Sequence, residues 1–130
     1  MTQEEEKNLL LKDLCSRLPY GVRYRHFTWN DEYGETYIAA QIYSINTDGY
    51  VKNCHDDETV YIDNVRLYLL PLSSMTEEQK KEYQYITERW MNDPAYSISD
   101  SIDWLNKHHF DYRDLIEKGL AIDATGLNVY

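Results

Sequence analysis

The spacing of apolar residues at the N-terminal end predicts a helix. Leu10 and Leu14 recur at helical spacing, and Thr2 with Glu5 forms a capping-box pair ahead of them. We therefore expect residues 1–18 to form one helix with an apolar stripe.

From residue 22 the apolar period shortens to two, which is typical of half-buried strands. Turn-forming residues separate the alternating runs, and Asn46-Thr47-Asp48-Gly49 is a strong hairpin signal. An antiparallel meander of four or five short strands is predicted over 22–70, with the runs at 22–29, 36–45, 50–54, 59–62 and 65–70.

Residues 76–119 return to helical spacing. Thr76 and Gln79 form a second capping box, and the helix that they open is predicted to run to about Trp90. Asn92-Asp93-Pro94 predicts a break. A third helix is predicted to start at Ser97 or Ser99, with an apolar stripe formed by Ile98, Ile102, Leu105 and His109.

The end of the chain predicts one more short helix. Asp111 is a suitable cap, Leu115 and Ile116 are its apolar residues, and Gly119 is well placed to end it. The tail 120–130 is predicted either to add a strand or to lie on the surface. The expected fold is α+β in a single domain 1–130: an N-terminal helix, an antiparallel sheet, and C-terminal helices packed on that sheet.

Composition and charge narrow the class of protein. The chain has 130 residues and a net charge of −10, and no apolar run approaches the length of a membrane span. The first residues are acidic, unlike a signal peptide. Two cysteines, Cys15 and Cys54, make no disulfide framework. We expect a soluble, cytoplasmic protein without a membrane partner.

Two groups of residues are candidates for sites of chemistry. The run Cys54-His55-Asp56-Asp57-Glu58 lacks the ligand spacing of a metal site and is interpreted as a polar loop. His108 and His109, near Asp111 and the serines 73 and 74, suggest a small hydrolase or a metal-dependent enzyme, but no nucleophile motif accompanies them. No catalytic residue, metal or cofactor is therefore predicted.

Tyrosine is the unusual residue of this chain, with 13 copies against two phenylalanines and three tryptophans. Tyrosines are enriched at protein interfaces, and several lie in the predicted strands. The candidate interaction face consists of Tyr37, Tyr43, Tyr50, Tyr61 and Tyr68.

A nucleic-acid role is the main alternative. Arg23, Arg25 and Phe27 share one face of the 22–29 strand, where two guanidinium groups and a ring suit phosphate and bases. The net charge of −10 disfavours direct binding, and it leaves acidic mimicry of nucleic acid as a second form of this alternative.

Four segments, at 18–22, 70–78, 105–113 and 115–121, are distinctive when taken together. They resemble a family of small proteins from intestinal anaerobic bacteria and their phages or other mobile elements. The family has no assigned activity and no assigned site residues. The resemblance therefore implies a bacterial or phage cytosolic origin and transfers no site.

Together these observations predict a non-enzymatic protein-interaction module. The absence of a catalytic motif and the excess of tyrosine are the two reasons. The expected partner is another protein or a second copy of the chain, and nucleic acid is the less expected partner.

Overall fold

The computed structural model describes residues 1–30, 32, 34–56, 58–92 and 98–130. The fold is α+β, as predicted. Its helices and strands are α1 Gln3–Arg17, β1 Arg23–Asn30, β2 Gly34–Ile45, β3 Tyr50–Asn53, β4 Thr59–Tyr61, β5 Leu67–Pro71, α2 Glu77–Asn92, α3 Ile98–Lys107, β6 Phe110–Asp111 and β7 Ala121–Asp123.

The sheet is mixed, which differs from the predicted antiparallel meander. Its strands follow the order β4-β3-β2-β1-β5-β6, and β7 also pairs with β5. β6 and β7 run parallel to β5, whereas the other pairs are antiparallel. These two strands are two and three residues long, so they carry too few positions for a period of two to reveal them.

Helix α1 covers the inner face of the sheet. Leu10 and Leu14 are buried, as their spacing predicts, and they pack in one cluster with Ile42, Val51 and Leu67 of the strands. Thr2 caps the helix by accepting the Glu5 main-chain N–H. The helix thus forms from local signals and is fixed by burial of its apolar stripe.

A buried ionic network joins α1 to the C-terminal part of the chain. Arg17 and Asp13 are both fully buried, with Arg17 Nε 2.8 Å from Asp13 Oδ2. Arg113 Nη1 lies 2.8 Å from the other oxygen of Asp13, and Arg17 Nη2 donates to the Phe110 carbonyl oxygen. These bonds position β6 beside the end of α1.

Helices α2 and α3 pack against each other over a second apolar cluster, which contains Trp104, Leu105 and Phe110.

The predicted apolar stripe of α3 is wrong at two positions. Ile102 is 37% exposed, because α3 turns Ser101 and Trp104 inward instead. His109 lies beyond the end of the helix with a φ of 63°, where the chain reverses into β6.

The predicted fourth helix is also wrong. Asp111 accepts the N–H groups of Leu115 and Ile116, as a cap would, but residues 112–120 form turns. Asp114 has a φ of 58°, which no α-helix accommodates. The tail forms β7 at Ala121–Asp123.

Some predictions fall outside the described residues. They concern Asp31 and Tyr33 in the first turn, Asp57 in the polar loop, and the 93–97 segment with Pro94 and Ser97. Among the helices in the described ranges, none is both long and apolar enough to cross a bilayer.

Candidate functional site

Strand β1 separates from β5 soon after the two meet. Their register contains one pair, Tyr24 opposite Leu67. The Arg25 N–H then donates to the Arg66 carbonyl oxygen at 3.1 Å. The chain preceding β5 lies in a 3-10 turn at Ile62–Asn64, so β5 does not extend alongside the rest of β1.

The separation leaves one edge of β1 without a neighbouring strand. The Val22 carbonyl accepts from Ile42 N–H in β2, whereas the Arg25 N–H points to β5. Successive residues of a strand direct their main-chain groups to opposite edges. Phe27 and Trp29 therefore direct theirs away from β2. Within the described part of the chain these groups have no hydrogen-bond partner, and we call this segment the free edge of β1.

Aromatic side chains cover the outer face beside the free edge. Phe27 is paired with Tyr37 across β1 and β2, and their rings meet edge to face at 5.8 Å. The Arg25 guanidinium lies 3.9 Å from the centre of the Tyr37 ring, a cation–π contact. Trp29 is 66% exposed. We call these four residues the aromatic arm.

A cavity of about 400 Å³ opens where β1 leaves β5. Arg25 and Phe27 of β1 line it, together with Asn64 and Arg66 from the chain ahead of β5. An extended chain that follows the free edge antiparallel to β1 would therefore begin beside Trp29 and end in this cavity.

A chain of hydrogen bonds runs beneath the arm on the inner face. Asn53 Nδ2 donates to the Tyr24 hydroxyl at 3.0 Å, and that hydroxyl lies 2.8 Å from His26 Nδ1. His26 Nε2 lies 2.9 Å from Asp56 Oδ2 and 3.8 Å from Glu58 Oε2. The carboxylate can only accept, so the neutral tautomer with its proton on Nε2 satisfies every member, with Tyr24 donating to Nδ1.

The surroundings of this network shift two pKa values. Two hydrogen bonds lower the pKa of Asp56 to about 2. The larger effect comes from His26 and the smaller from the main-chain N–H of Glu58. Burial raises the pKa of Tyr24 to about 12, against a smaller lowering by the Asn53 hydrogen bond. At neutral pH the network therefore ends in a carboxylate and contains a protonated phenol.

The structure divides the predicted tyrosine face into two groups. Tyr37, Tyr43 and Tyr50 are 53%, 45% and 44% exposed. Tyr61 and Tyr68 are half-buried. The Tyr61 ring is in contact with the Tyr50 ring and with the Lys7 ammonium group. The Tyr68 carbonyl oxygen accepts a hydrogen bond from the Tyr130 hydroxyl.

The two arginines of the predicted nucleic-acid strand have different surroundings. Arg23 is half-buried and donates through Nη1 to the Ala39 carbonyl oxygen at 2.9 Å, so its guanidinium is held against β2. Arg25 is exposed within the aromatic arm. One guanidinium of the pair is thus directed to solvent beside an aromatic face.

His108 and His109 contact groups other than those with which the hydrolase hypothesis pairs them. The His109 ring stacks on Tyr130 at 3.5 Å, and burial lowers the pKa of His109 to about 4. His108 lies against Trp104. Both carboxylate oxygens of Asp111 accept main-chain N–H groups. The Ser74 hydroxyl donates to the carbonyl oxygen of residue 71. No nucleophile, base and acid meet among these described residues.

Sequence reasoning missed His26 and Trp29. The loop after β3 is more than the polar loop that its sequence predicts, because it brings Asp56 and Glu58 to His26, which is 3% exposed. The available signal was that His26 shares the inward alternation of Tyr24, and a buried histidine requires partners. Nothing in the spacing reveals that those partners lie 30 residues away.

Comparison of the chain with protein-family models, with curated proteins and with solved structures finds no match.

Proposed function

We propose that this protein is a non-enzymatic interaction module that binds an extended segment of a partner protein along the free edge of β1. The main-chain groups of Phe27 and Trp29 carry the proposal, because they have no partner in the described ranges. The proposed setting is the bacterial or phage cytosol that the resemblance of the four segments implies.

Strand addition suits the geometry of this edge. A segment antiparallel to β1 would continue the line of β5, which ends its own pairing opposite Tyr24. Phe27 and Trp29 each offer one N–H and one C=O, which gives four hydrogen bonds to such a segment. Main-chain bonds of this kind provide affinity without demanding one particular sequence.

Exposed apolar residues at a sheet edge support a binding role. Proteins commonly protect an edge with lysine, proline or a bulge, because an unprotected edge pairs with other chains. Here the edge residues are Phe27 and Trp29, which are 46% and 66% exposed. Large aromatic side chains are the usual anchors of an interface, so they would contact alternate side chains of the bound segment.

The charges at the cavity indicate which residue ends the bound segment. Arg25 and Arg66 line the cavity together with Glu58, so the local charge is positive in a chain whose net charge is −10. An acidic residue in the partner segment would therefore be favoured at this end. The proposed ligand is an extended segment in which alternating apolar residues are followed by an acidic residue.

Binding measurements with matched variants test this proposal. A partner is first captured with the wild-type chain and purified. Its affinity is then measured by calorimetry for the wild type, for Trp29→Ala, and for Tyr85→Ala, which removes a 60% exposed aromatic residue of α2. We expect Trp29→Ala to weaken binding about 30-fold and Tyr85→Ala to change it less than twofold.

A proline variant separates the main chain from the side chain. Trp29→Pro removes the N–H that faces the free edge as well as the ring, so it should weaken binding more than Trp29→Ala. Equal affinity of all variants for the partner would contradict the proposal.

Single-stranded nucleic acid is the competing ligand of the aromatic arm, favoured by the stacking of Arg25 on Tyr37. Binding of an oligonucleotide that weakens steeply with salt and is lost in Arg25→Ala would replace the protein-partner proposal with this one.

A further inference from the structure

We propose that His26, Asp56 and Glu58 form a binding site for a divalent metal ion, with zinc as the ion that fits best. The proposal does not rest on the interaction function, although Glu58 and His26 also line the cavity beside the free edge.

The three side chains converge on one point. His26 Nε2 and one oxygen from each carboxylate all lie within 4.8 Å of one another. The Nε2 atom is 2.9 Å from Asp56 Oδ2 and 3.8 Å from Glu58 Oε2. Ligand atoms about 2.0 Å from a tetrahedral zinc ion are separated by about 3.3 Å, so the two observed distances bracket the required one.

The site combines a rigid ligand with two adjustable ones. His26 is 3% exposed and is held on β1, whereas the side chains of Asp56 and Glu58 are 33% and 65% exposed. The carboxylates can therefore move by a fraction of an ångström around the fixed imidazole, and solvent gives the ion a path of entry. One nitrogen and two oxygens match zinc sites that have three protein ligands and a water.

The groups behind His26 are those that orient a metal-bound histidine. A metal at Nε2 requires the ring proton to lie on Nδ1, where the Tyr24 hydroxyl at 2.8 Å can accept it. The ring proton therefore moves from Nε2 to Nδ1 by exchange through solvent, so the imidazole stays neutral, and the hydroxyl proton of Tyr24 turns toward the cavity that Tyr24 lines. Asn53 continues to donate to Tyr24 and keeps the phenol in place.

The site overlaps only in part with the run of possible ligands at 54–58, which the sequence predicts to be a polar loop. Cys54 and His55 are both exposed and lie outside the converging cluster. The adjacent loop residues thus supply two ligands, and the third comes from a strand 30 residues earlier. A site of this kind has no ligand spacing that a sequence motif records.

Titration of the full chain with zinc, and with cobalt as a spectroscopic probe, tests the proposal. Calorimetry should give one zinc site per chain, and cobalt should give the visible absorption of a tetrahedral complex. Glu58→Gln changes an exposed ligand and should weaken zinc binding at least tenfold. Glu78→Gln, an equally simple change of an exposed residue in α2, should leave the affinity unchanged.

Other outcomes overturn the assignment. Absence of saturable zinc binding by the folded wild type rejects the site. Full retention of affinity in both Glu58→Gln and Asp56→Asn rejects these ligands, and loss of binding in a Cys54→Ser, His55→Ala variant places the metal on the loop instead. Because Asp56→Asn and Glu58→Gln alter exposed side chains, the test does not depend on a His26 variant that fails to fold.

Discussion

The hydroxyl of Tyr130 accepts a hydrogen bond from the main-chain N–H of Arg23 at 2.8 Å, across 107 positions of the sequence. The same hydroxyl donates to the Tyr68 carbonyl oxygen at 2.8 Å, so it bridges β1 and β5 at the start of β1. The bridge holds this end of β1 against β5, and the free edge therefore lies at the other end.

Removing that hydroxyl should loosen the junction of the two strands. Tyr130→Phe keeps the ring on His109 but leaves the Arg23 N–H and the Tyr68 carbonyl without this partner. Since the bridge is exposed and water can replace part of it, we expect a loss of about 1 kcal/mol in the free energy of unfolding. Urea unfolding measures the loss, with Tyr85→Phe on α2 as the control. Equal loss in the two variants would show that the bridge contributes nothing specific.

The burial of His109 makes stability depend on pH. Burial, and then the nearby charges of Arg17, His108 and Arg23, lower the pKa of His109 to about 4 from an ordinary value of 6.5. The folded state thus binds this proton less readily than the unfolded state. The stabilising contribution is complete above pH 6.5 and is lost as the pH falls through 6.5 toward 4.

The matched variant for this prediction is His109→Asn, because asparagine tolerates the positive φ at this position and does not titrate. Free energies of unfolding are measured in urea between pH 7 and pH 4. The wild type should lose more stability than the variant over this range, and parallel curves would mean that His109 does not contribute.

The buried Arg17 depends on Asp13 for its counter-charge. Asp13→Asn removes the carboxylate that both Arg17 and Arg113 contact, and it leaves a fully buried guanidinium uncompensated. We expect a loss of about 3–5 kcal/mol in the free energy of unfolding. Glu77→Gln is the control, since it breaks an exposed pair with Lys80 that should be worth less than about 1 kcal/mol. Similar losses in both variants would contradict this account of the network.

Proline at two adjacent positions of β1 tests the assignment of its edges. The Thr28 N–H faces β2, so Thr28→Pro removes a hydrogen bond of the β1–β2 ladder and should lower the melting temperature strongly. The Trp29 N–H faces the free edge, so Trp29→Pro should lower it much less. Thermal unfolding compares them, with Trp29→Ala accounting for loss of the ring. A reversed order would mean that the edges are assigned the wrong way round.

The sequence predicted those parts of the fold that depend on local periodicity. The leucine spacing of α1 and the alternation of β1 and β2 placed these elements within two residues of their observed bounds. The pairing of Tyr24 with Leu67, the parallel addition of β7, and the approach of Asp56 to His26 were not predictable, because each joins positions far apart in the chain.

The residues at the proposed sites also differ in whether the sequence alone can identify them. The sequence identifies Tyr37 as a candidate interface residue because tyrosine is conspicuous in a predicted strand. It identifies Phe27 as a candidate because Phe27 shares a strand face with two arginines. Trp29 acquires its significance only where β5 fails to reach it, which is a property of the assembled sheet. Ile102 was misassigned because Ser101 and Trp104 determine which face of α3 is buried.

Amide hydrogen exchange along β1, followed by NMR, tests the central claim most directly. In the free protein the amides of Tyr24, His26 and Thr28 should exchange slowly, because they face β2, whereas those of Phe27 and Trp29 should exchange rapidly. The same two amides should become protected when the partner segment binds. Slow exchange of Phe27 and Trp29 in the free monomer would show that the edge is already paired, and it would contradict the account.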